Sequence, residues 1–227
     1  MTTTKKAQIG TKHIVMLLDR SGSMSSSWPA TLESVNGYID DLKGQKASLS
    51  LITFDGKAIE TVFAHRLMKE SSPKHITNRT ISPRSSTPLN DAVGRTIKDM
   101  ESVLDGREED VLITIMTDGY ENASTVYSTP AIKKLIEEKQ GDGWVFTYLG
   151  ANQDAWGVAE AMGIPRGNAA RYSYTDSGVN NLRSARVALT RSFMRSNLSS
   201  LERTEMMSSF TTADGVLAGD DLDPEGQ

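Results

Sequence analysis

The segment Asp-Arg-Ser-Gly-Ser places one carboxylate and two hydroxyl groups at alternating positions, those of Asp19, Ser21 and Ser23. It follows directly on five apolar residues, 14–18, which are too few for a typical helix and predict a buried central strand. Side chains at the carboxyl ends of such strands line the crevice in which open α/β sheets bind ligands. Carboxylate and hydroxyl oxygens at this place predict a site for a hard metal ion.

A second acidic residue, Asp118, follows another apolar run, 111–116. The ends of parallel strands meet at one edge of a sheet, so Asp19 and Asp118 are expected to converge, and two like charges need a cation. Gly22 allows the first loop to tighten, so that its two serine hydroxyls turn toward the same point. With no His or Cys nearby in sequence, the oxygen donors favour Mg²⁺, Mn²⁺ or Ca²⁺ over zinc or copper. These four groups leave room for at least one further protein oxygen and one open or water-filled position.

The elements that would position these residues alternate along the chain. Helical patterns cover 28–42, 89–104, 130–139, a segment starting at Asn152 or Asp154, and 176–197. Strands are predicted at 14–18, 111–116, 144–149 and 169–174. Two further runs, Ala47–Phe54 and Lys57–Phe63, are joined by Asp55-Gly56, the signature of a type I′ hairpin. The pattern predicts a doubly wound, mostly parallel α/β sheet with one antiparallel edge hairpin strand and helices on both faces.

The composition is that of a globular protein. With 227 residues, 37% apolar and 24% charged, the chain has room for one full α/β domain and some extra residues. The absence of cysteine excludes a disulfide framework, a thiolate metal site and a cysteine nucleophile. The N-terminus has no secretory signal pattern, and no run approaches about 18 apolar residues. A cytoplasmic protein without a membrane segment is therefore expected.

Charge is distributed unevenly. Residues 200–227 carry seven acidic residues and one basic residue, a net of −6 within an overall charge of −4. The remaining chain is nearly neutral, which argues against a nucleic-acid-binding domain. We predict an N-terminal extension over 1–11, one domain over 12–175, a C-terminal helix over 176–199 that packs on or extends the domain, and an acidic, flexible tail over 200–227. Four arginines of that helix predict a solvated face: Arg183, Arg186, Arg191 and Arg195.

Three segments together resemble the metal-ion-dependent adhesion site of von Willebrand factor A domains, in particular single-domain members from bacteria or phages. The segments are Asp19-Arg20-Ser21-Gly22-Ser23-Met24, Ser86-Thr87-Pro88-Leu89-Asn90-Asp91-Ala92 and Met116-Thr117-Asp118-Gly119. The resemblance covers roughly residues 10–175. It implies five metal-site residues: Asp19, Ser21, Ser23, Thr87 and Asp118. Many bacterial members carry two glycines before the threonine, where this chain has Ser85-Ser86.

The resemblance also implies a protein–protein interaction module rather than an enzyme. A divalent cation, most of all Mg²⁺, would accept a Glu or Asp carboxylate from a protein partner. Residues beside that carboxylate would pack on a rim around the site. The implied rim residues are Met24, Ser86, Gly119, Tyr120 and Glu121.

Two other functions stay open at this point. A metal-assisted phosphoesterase would use the ion as a Lewis acid, but it needs a general base or nucleophile, for which the sequence offers no clear candidate. A structural assembly module with a vestigial metal site would make its contacts through the last helix and the acidic tail. The first motif does not fit an EF-hand loop, whose sixth and twelfth positions here hold Met24 and Ala30. A haloacid-dehalogenase-like motif requires an Asp where Ser21 stands.

Overall fold

Six strands form one sheet in the part of the chain that the structure describes. The computed structural model describes residues 11–69, 73–151, 154–172 and 176–195. The strands are β1 (Lys12–Asp19), β2 (Ala47–Asp55), β3 (Ala58–Leu67), β4 (Val111–Thr117), β5 (Val145–Ala151) and β6 (Ala169–Tyr172). Their order is β3-β2-β1-β4-β5-β6, and only the β2–β3 pair is antiparallel. The predicted doubly wound α/β sheet with an antiparallel edge strand is confirmed.

The register of the parallel strands determines which loops meet. The four inner strands are buried on both faces, and in β1, β4 and β5 this explains the long apolar runs. Asp19, the last residue of β1, pairs with Phe54 of β2, and Leu18 pairs with Met116 of β4. The loops that follow β1 and β4 therefore leave the same edge of the sheet as neighbours.

Helices cover both faces of the sheet. The described helices are α1 (Trp28–Asp41), α2 (Leu89–Leu104), α3 (Thr129–Gly141), α4 (Ala155–Ala161) and α5 (Asp176–Arg195). Side chains of a strand point alternately to its two faces, and neighbours in β1 accordingly belong to different cores. Met16 packs in the core shared with α1 and α5, whereas Leu17 packs in the core shared with α2, α3 and α4.

Two helix ends illustrate local signals that the sequence carries. Helix α2 has the predicted bounds and ends where Asp105 and Gly106 adopt left-handed φ values of 47° and 76°. Helix α4 begins after Asp154, one of the two predicted starts. The Asp154 carboxylate accepts the backbone N–H of Gly157 at 3.0 Å, which caps the first turn.

The turn between β2 and β3 differs from the predicted type I′ turn at Asp55-Gly56. Asp55 is the last residue of β2 and pairs with Ala58, so the turn residues are Gly56 and Lys57. Neither has a positive φ, which a type I′ turn requires at both positions. The Asp55 carboxylate instead accepts the N–H of Lys57 at 2.7 Å and stabilises the turn from its first residue.

Arg186 corrects the prediction that all four arginines of α5 form a solvated face. Its side chain is 1% exposed, and its guanidinium lies 4.0 Å from the centroid of the Tyr38 ring. It also donates a hydrogen bond of 2.6 Å to the carbonyl of Ser34 in α1, and burial lowers its pKa to about 10. Position 186 lies one helical turn from the buried Leu182 and Leu189, so the helix geometry directs it toward α1.

Several sequence predictions fall beyond the described residues. The extension over 1–11 and the acidic tail over 200–227 lie outside the described part of the chain, apart from residue 11, and stay predictions. Helix α5 is described as far as Arg195. Among the described residues, no helix combines the length and the apolar character needed to cross a membrane.

Candidate metal centre

Asp19 anchors the first loop at the end of β1. Its side chain is fully buried, and its oxygens accept hydrogen bonds from the N–H of Ser21 (Oδ1, 2.6 Å) and the hydroxyl of Thr117 (Oδ2, 2.6 Å). Because Thr117 ends β4, the second bond joins the ends of two neighbouring strands. The protein itself therefore sets the orientation of this carboxylate.

The hydroxyl groups of the first loop lead from Asp19 to Asp118. A short 3-10 helix, Gly22–Ser25, follows Ser21, and Ser21 Oγ lies 3.0 Å from Ser23 Oγ. The Ser23 hydroxyl donates to Asp118 Oδ1 at 2.6 Å. Ser21 is buried and Ser23 is exposed, so this row of oxygens runs from the interior to the surface.

Thr87 approaches the same oxygens across Gly119. A methyl group added at Gly119 would lie 3.0 Å from Thr87 Oγ1 and 3.3 Å from Ser23 Oγ. The glycine therefore leaves open a space that both hydroxyls face, and a side chain at this position would fill it. Asn122 holds the backbone of Thr87: its Oδ1 accepts the Thr87 N–H at 2.8 Å, and its N–H donates to the Thr87 carbonyl at 3.1 Å. The structure thus brings the five predicted metal-site residues together.

The electrostatics of the site favour a cation. Burial raises the pKa of Asp19 to about 6, and the charge of Asp118 acts in the same direction, whereas hydrogen bonds from Thr117 and Ser21 oppose it. A positive ion beside the two carboxylates would stabilise the ionised form of Asp19 and offset the effect of burial. Within the described ranges, no group of three or more His, Cys, Asp or Glu side chains could hold a metal ion. An ion at this place would therefore depend on the three hydroxyl groups, a donor set that fits a hard divalent cation.

Two predicted rim residues have their side chains engaged elsewhere. Met24 is fully buried in the core, so its assignment to an exposed rim is wrong. The 3-10 helix directs this apolar side chain inward while Ser23 stays exposed, a difference that residue spacing alone did not indicate. Glu121 accepts the N–H groups of Asn90 and Ser124, each at 2.7 Å, and so fastens the loop after β4 to the start of α2.

The loop after β4 exposes two large apolar side chains. Tyr120 is 57% exposed, and Val126 is 74% exposed. Asp91 holds this loop, because its carboxylate accepts the N–H groups of Thr125, Val126 and Tyr127 at 2.8, 3.0 and 2.8 Å. The anchoring roles of Asp91 and Asn122 were missed. The only sequence signal was an acidic residue in the first turn of α2.

The loop before Thr87 accommodates two serines where glycines are frequent in the family that the sequence resembles. Ser85 adopts a left-handed φ of 65°, a conformation that glycine reaches without strain. Ser86 is partly exposed, and its carbonyl accepts the N–H of Gly56 at 2.8 Å. A methyl group at Gly56 would overlap Ser86 Oγ and lie 2.7 Å from Ser85 Oγ. The facing glycine thus provides the space that the two serine side chains need.

The fold agrees with the result of the family comparison. The model of the von Willebrand factor type A domain matches residues 13–186, and the chain therefore belongs to that family. No curated protein matches the chain.

Three solved structures illustrate the shared fold. Proximal thread matrix protein 1 of the mussel byssus, with a zinc-occupied MIDAS motif, has a TM-score of 0.61 and 15% identity, covering 80% of this chain and 46% of that chain. The manganese-loaded TRAP protein of Plasmodium vivax has a TM-score of 0.58 and 18% identity, covering 81% and 73%. The pilus adhesin SpaC of Lactobacillus rhamnosus GG, in its open conformation, has a TM-score of 0.61 and 14% identity, covering 82% and 30%. This chain thus spans less than half of the mussel protein, and the likeness concerns the fold.

Proposed function

We propose that this chain is a metal-dependent protein-binding module that takes up a Glu or Asp carboxylate of a protein partner. The observation that carries the proposal is the convergence of oxygens from three separate loops at one edge of the sheet. Ser23 contacts both Ser21 and Asp118 through its hydroxyl, and Thr87 faces the same space across Gly119. A cluster with two acidic members and no cationic side chain among them is suited to a positive ion.

The five residues would hold the ion in distinct ways. Asp19 and Asp118 supply negative charge, and Asp19 keeps its orientation through the hydrogen bonds from Ser21 and Thr117. The hydroxyls of Ser21, Ser23 and Thr87 supply neutral oxygen donors. A bound divalent cation, which we expect to be Mg²⁺, would supply a Lewis-acidic position for an anionic oxygen of the partner. Manganese in the TRAP protein and zinc in the mussel protein make Mn²⁺ and Zn²⁺ the first alternatives to compare.

The surroundings of the site favour binding over hydrolysis. A phosphoesterase would need a general base beside the ion, and Glu121 is the acidic side chain that follows Asp118 most closely in the loop. Both oxygens of Glu121 already accept hydrogen bonds from backbone groups of the protein, which ties this carboxylate to a structural role. Tyr120 and Val126 instead offer exposed apolar surface for contacts with a partner.

The proposal can be tested with an array of peptides that each contain a single Glu or Asp. We expect binding of a subset in Mg²⁺, loss of that binding in EDTA, and loss when the acidic residue is replaced by Gln or Asn. Ser23→Ala should remove the binding. Ser25→Ala is the matched control, because its hydroxyl donates to the Gly22 carbonyl at 2.7 Å and is not part of the oxygen cluster.

Two results would contradict the proposal. One is peptide binding that survives both EDTA and the Gln or Asn replacement, which would show that no metal-bound carboxylate is involved. The other is a wild-type protein that binds no divalent cation in a direct calorimetric titration. Hydrolysis of a generic phosphoester in Mg²⁺ that Ser23→Ala abolishes would favour the enzymatic alternative.

A further inference from the structure

Asp55 is a buried carboxylate close to the candidate metal centre but outside its donor set. It ends β2, and its side chain has 0% exposure. Its Oδ2 lies 2.6 Å from Nε of Arg20 and accepts a hydrogen bond of 3.0 Å from Nε of Arg84. Its Oδ1 accepts the N–H of Lys57 at 2.7 Å. One carboxylate thus binds two arginines that belong to two different loops.

Each of these two arginines lies close in sequence to candidate metal ligands. Arg20 lies between Asp19 and Ser21, and Arg84 lies three residues before Thr87. Asp55 therefore connects the loop that supplies three of the candidate ligands to the loop that supplies the fourth. Because alternate residues of an extended segment point in opposite directions, Arg20 points toward the hairpin while its neighbours face the metal centre.

Backbone hydrogen bonds also join the two loops and the β2–β3 hairpin at one junction. Each of the two loops bonds to the β2–β3 hairpin, and the loops also bond to each other. The four bonds run from Arg20 N–H to Phe54 O (2.9 Å), Gly56 N–H to Ser86 O (2.8 Å), Arg84 N–H to Arg20 O (2.8 Å) and Gly22 N–H to Ser85 O (2.9 Å). The hairpin therefore helps to fix the positions of both loops relative to each other.

The charge of Asp55 is maintained despite its position. Burial acts to raise its pKa, but the hydrogen bonds from Lys57 and Arg84 and the charges of Arg20 and Arg84 outweigh burial and lower it. The carboxylate is therefore ionised at neutral pH and attracts both guanidinium groups. Glu60 adds a second, half-exposed carboxylate, which accepts a hydrogen bond of 2.5 Å from Arg20 but lies 3.9 Å from Arg84.

We propose that Asp55 is a positioning residue for the metal centre, which holds the loops of residues 19–23 and 84–87 in register through Arg20 and Arg84. The inference rests on the metal site of the proposed function but not on its protein partner. The loop that carries Asp118 is linked to Asp55 less directly, because it bonds to Thr87 through Asn122 and to α2 through Glu121. Asp55 should therefore affect the alignment of Ser21 and Thr87 more than that of Asp118.

The first test compares Mg²⁺ affinity in wild type, Asp55→Asn and Glu60→Gln by calorimetric titration without any partner. We expect about a tenfold or larger loss of affinity in Asp55→Asn, the range found when groups that orient metal ligands are replaced. Glu60→Gln is the matched control, because it removes a carboxylate from Arg20 and leaves the bond between Asp55 and Arg84 intact. We expect less than about a twofold change for this variant.

A second measurement separates positioning from general stability. Double-mutant cycles on Mg²⁺ affinity should show non-additive losses for Asp55→Asn with Thr87→Ala, and additive losses for Asp55→Asn with Asp118→Asn. In EDTA, hydrogen exchange at the backbone amides of Gly22 and Arg84 should be faster in Asp55→Asn than in wild type, because both amides bond across the junction. A purely global loss of stability would accelerate exchange throughout the sheet and leave both cycles additive.

Should Asp55→Asn fail to fold, Arg84→Gln provides the same test, because Arg84 is 41% exposed and its replacement leaves the ion pair of Asp55 with Arg20. Mg²⁺ affinity equal to that of wild type in the folded variant would overturn the positioning role. A wild-type protein that binds no Mg²⁺ would refute the metal site itself. Mg²⁺ binding without any carboxylate-dependent partner would refute the proposed function and leave the role of Asp55 standing.

Discussion

The amino ends of the central strands and the candidate metal centre at their carboxyl ends differ in how charged side chains are paired. At the amino edge, His13 at the start of β1 contacts Glu109 Oε2 through Nε2 at 2.5 Å and Ser48 through Nδ1 at 2.9 Å. Lys12 beside it lies 3.1 Å from Asp110. The charges of Lys12, Asp110 and Glu109 are each paired with an opposite charge. At the carboxyl edge, two acidic residues and three hydroxyls face one another without a cationic side chain among them. Paired charged groups stabilise the fold, whereas a cluster of acidic groups without a cationic side chain favours the binding of a positively charged ligand.

The largest expected effect comes from removing the charge of Asp19. Asp19→Asn keeps the shape of the side chain, and we expect Mg²⁺ binding to fall by more than about 100-fold, because an anionic ligand is lost. Excess Mg²⁺ should raise the melting temperature of wild type and leave that of the variant unchanged. Equal stabilisation of both proteins by Mg²⁺ would contradict the assignment of Asp19 as a ligand.

The same substitution should have the opposite effect on stability in EDTA. The pKa of Asp19 in the folded state, about 6, lies above its ordinary value of 3.8, so ionisation at pH 7 costs stability. The free energy of unfolding of Asp19→Asn should therefore exceed that of wild type by up to about 3 kcal/mol at pH 7, because the pKa is raised from 3.8 to about 6. The difference should disappear below about pH 4, where Asp19 is protonated in both folded and unfolded states. Chemical denaturation at several pH values measures it.

A smaller effect on the same edge is expected at Gly119. In Gly119→Ala the added methyl group would lie 3.0 Å from Thr87 Oγ1 and would displace one of the hydroxyls. We expect Mg²⁺ affinity to fall about tenfold, since a misplaced ligand costs on the order of 1.4 kcal/mol, with little loss of folding stability. Gly141→Ala is the matched control, because nothing lies within 4 Å of its added methyl group. Gly44→Ala would not serve as a control, because Gly44 has a positive φ.

The amino edge should respond in the converse way. Glu109→Gln removes a part-buried charge that contacts His13 and Arg107, and we expect the free energy of unfolding to fall by about 1 kcal/mol. Mg²⁺ affinity should not change, because the ion site lies at the other end of the strands. A loss of Mg²⁺ affinity in Glu109→Gln would remove the contrast between the two edges.

The smallest effect on the fold is expected at the exposed residue Tyr120. Tyr120→Ala should change the free energy of unfolding by less than about 0.5 kcal/mol, because 57% of the residue is exposed. Mg²⁺ affinity should stay constant, while binding of an acidic peptide identified in the array should weaken. If peptide affinity is also unchanged, Tyr120 does not belong to the binding rim.

The sequence predictions were accurate where the physical signal lies within one segment of the chain, and less accurate where it depends on local backbone geometry. The apolar run before Asp19 and the helix over 89–104 were correct, because strand and helix burial leave periodic patterns within one segment. The hairpin itself was correct and its turn type was wrong, because Asp55 acts from the last position of the strand rather than from the turn. The assignment of Met24 to the rim was wrong because the 3-10 helix directs this side chain into the core.

Residue types and spacing alone determined that this chain forms a mixed α/β sheet with oxygen-bearing loops at the carboxyl ends of β1 and β4. They also indicated the five candidate ligands, through a resemblance whose members are distant in the chain. Only the tertiary structure decided that Asp55 connects two of these loops and that Arg186 lies inside the protein. The physical reason is that the ion pairs of Asp55 and the packing of Arg186 join residues from about 30 to 150 positions apart, and no local periodicity encodes such contacts.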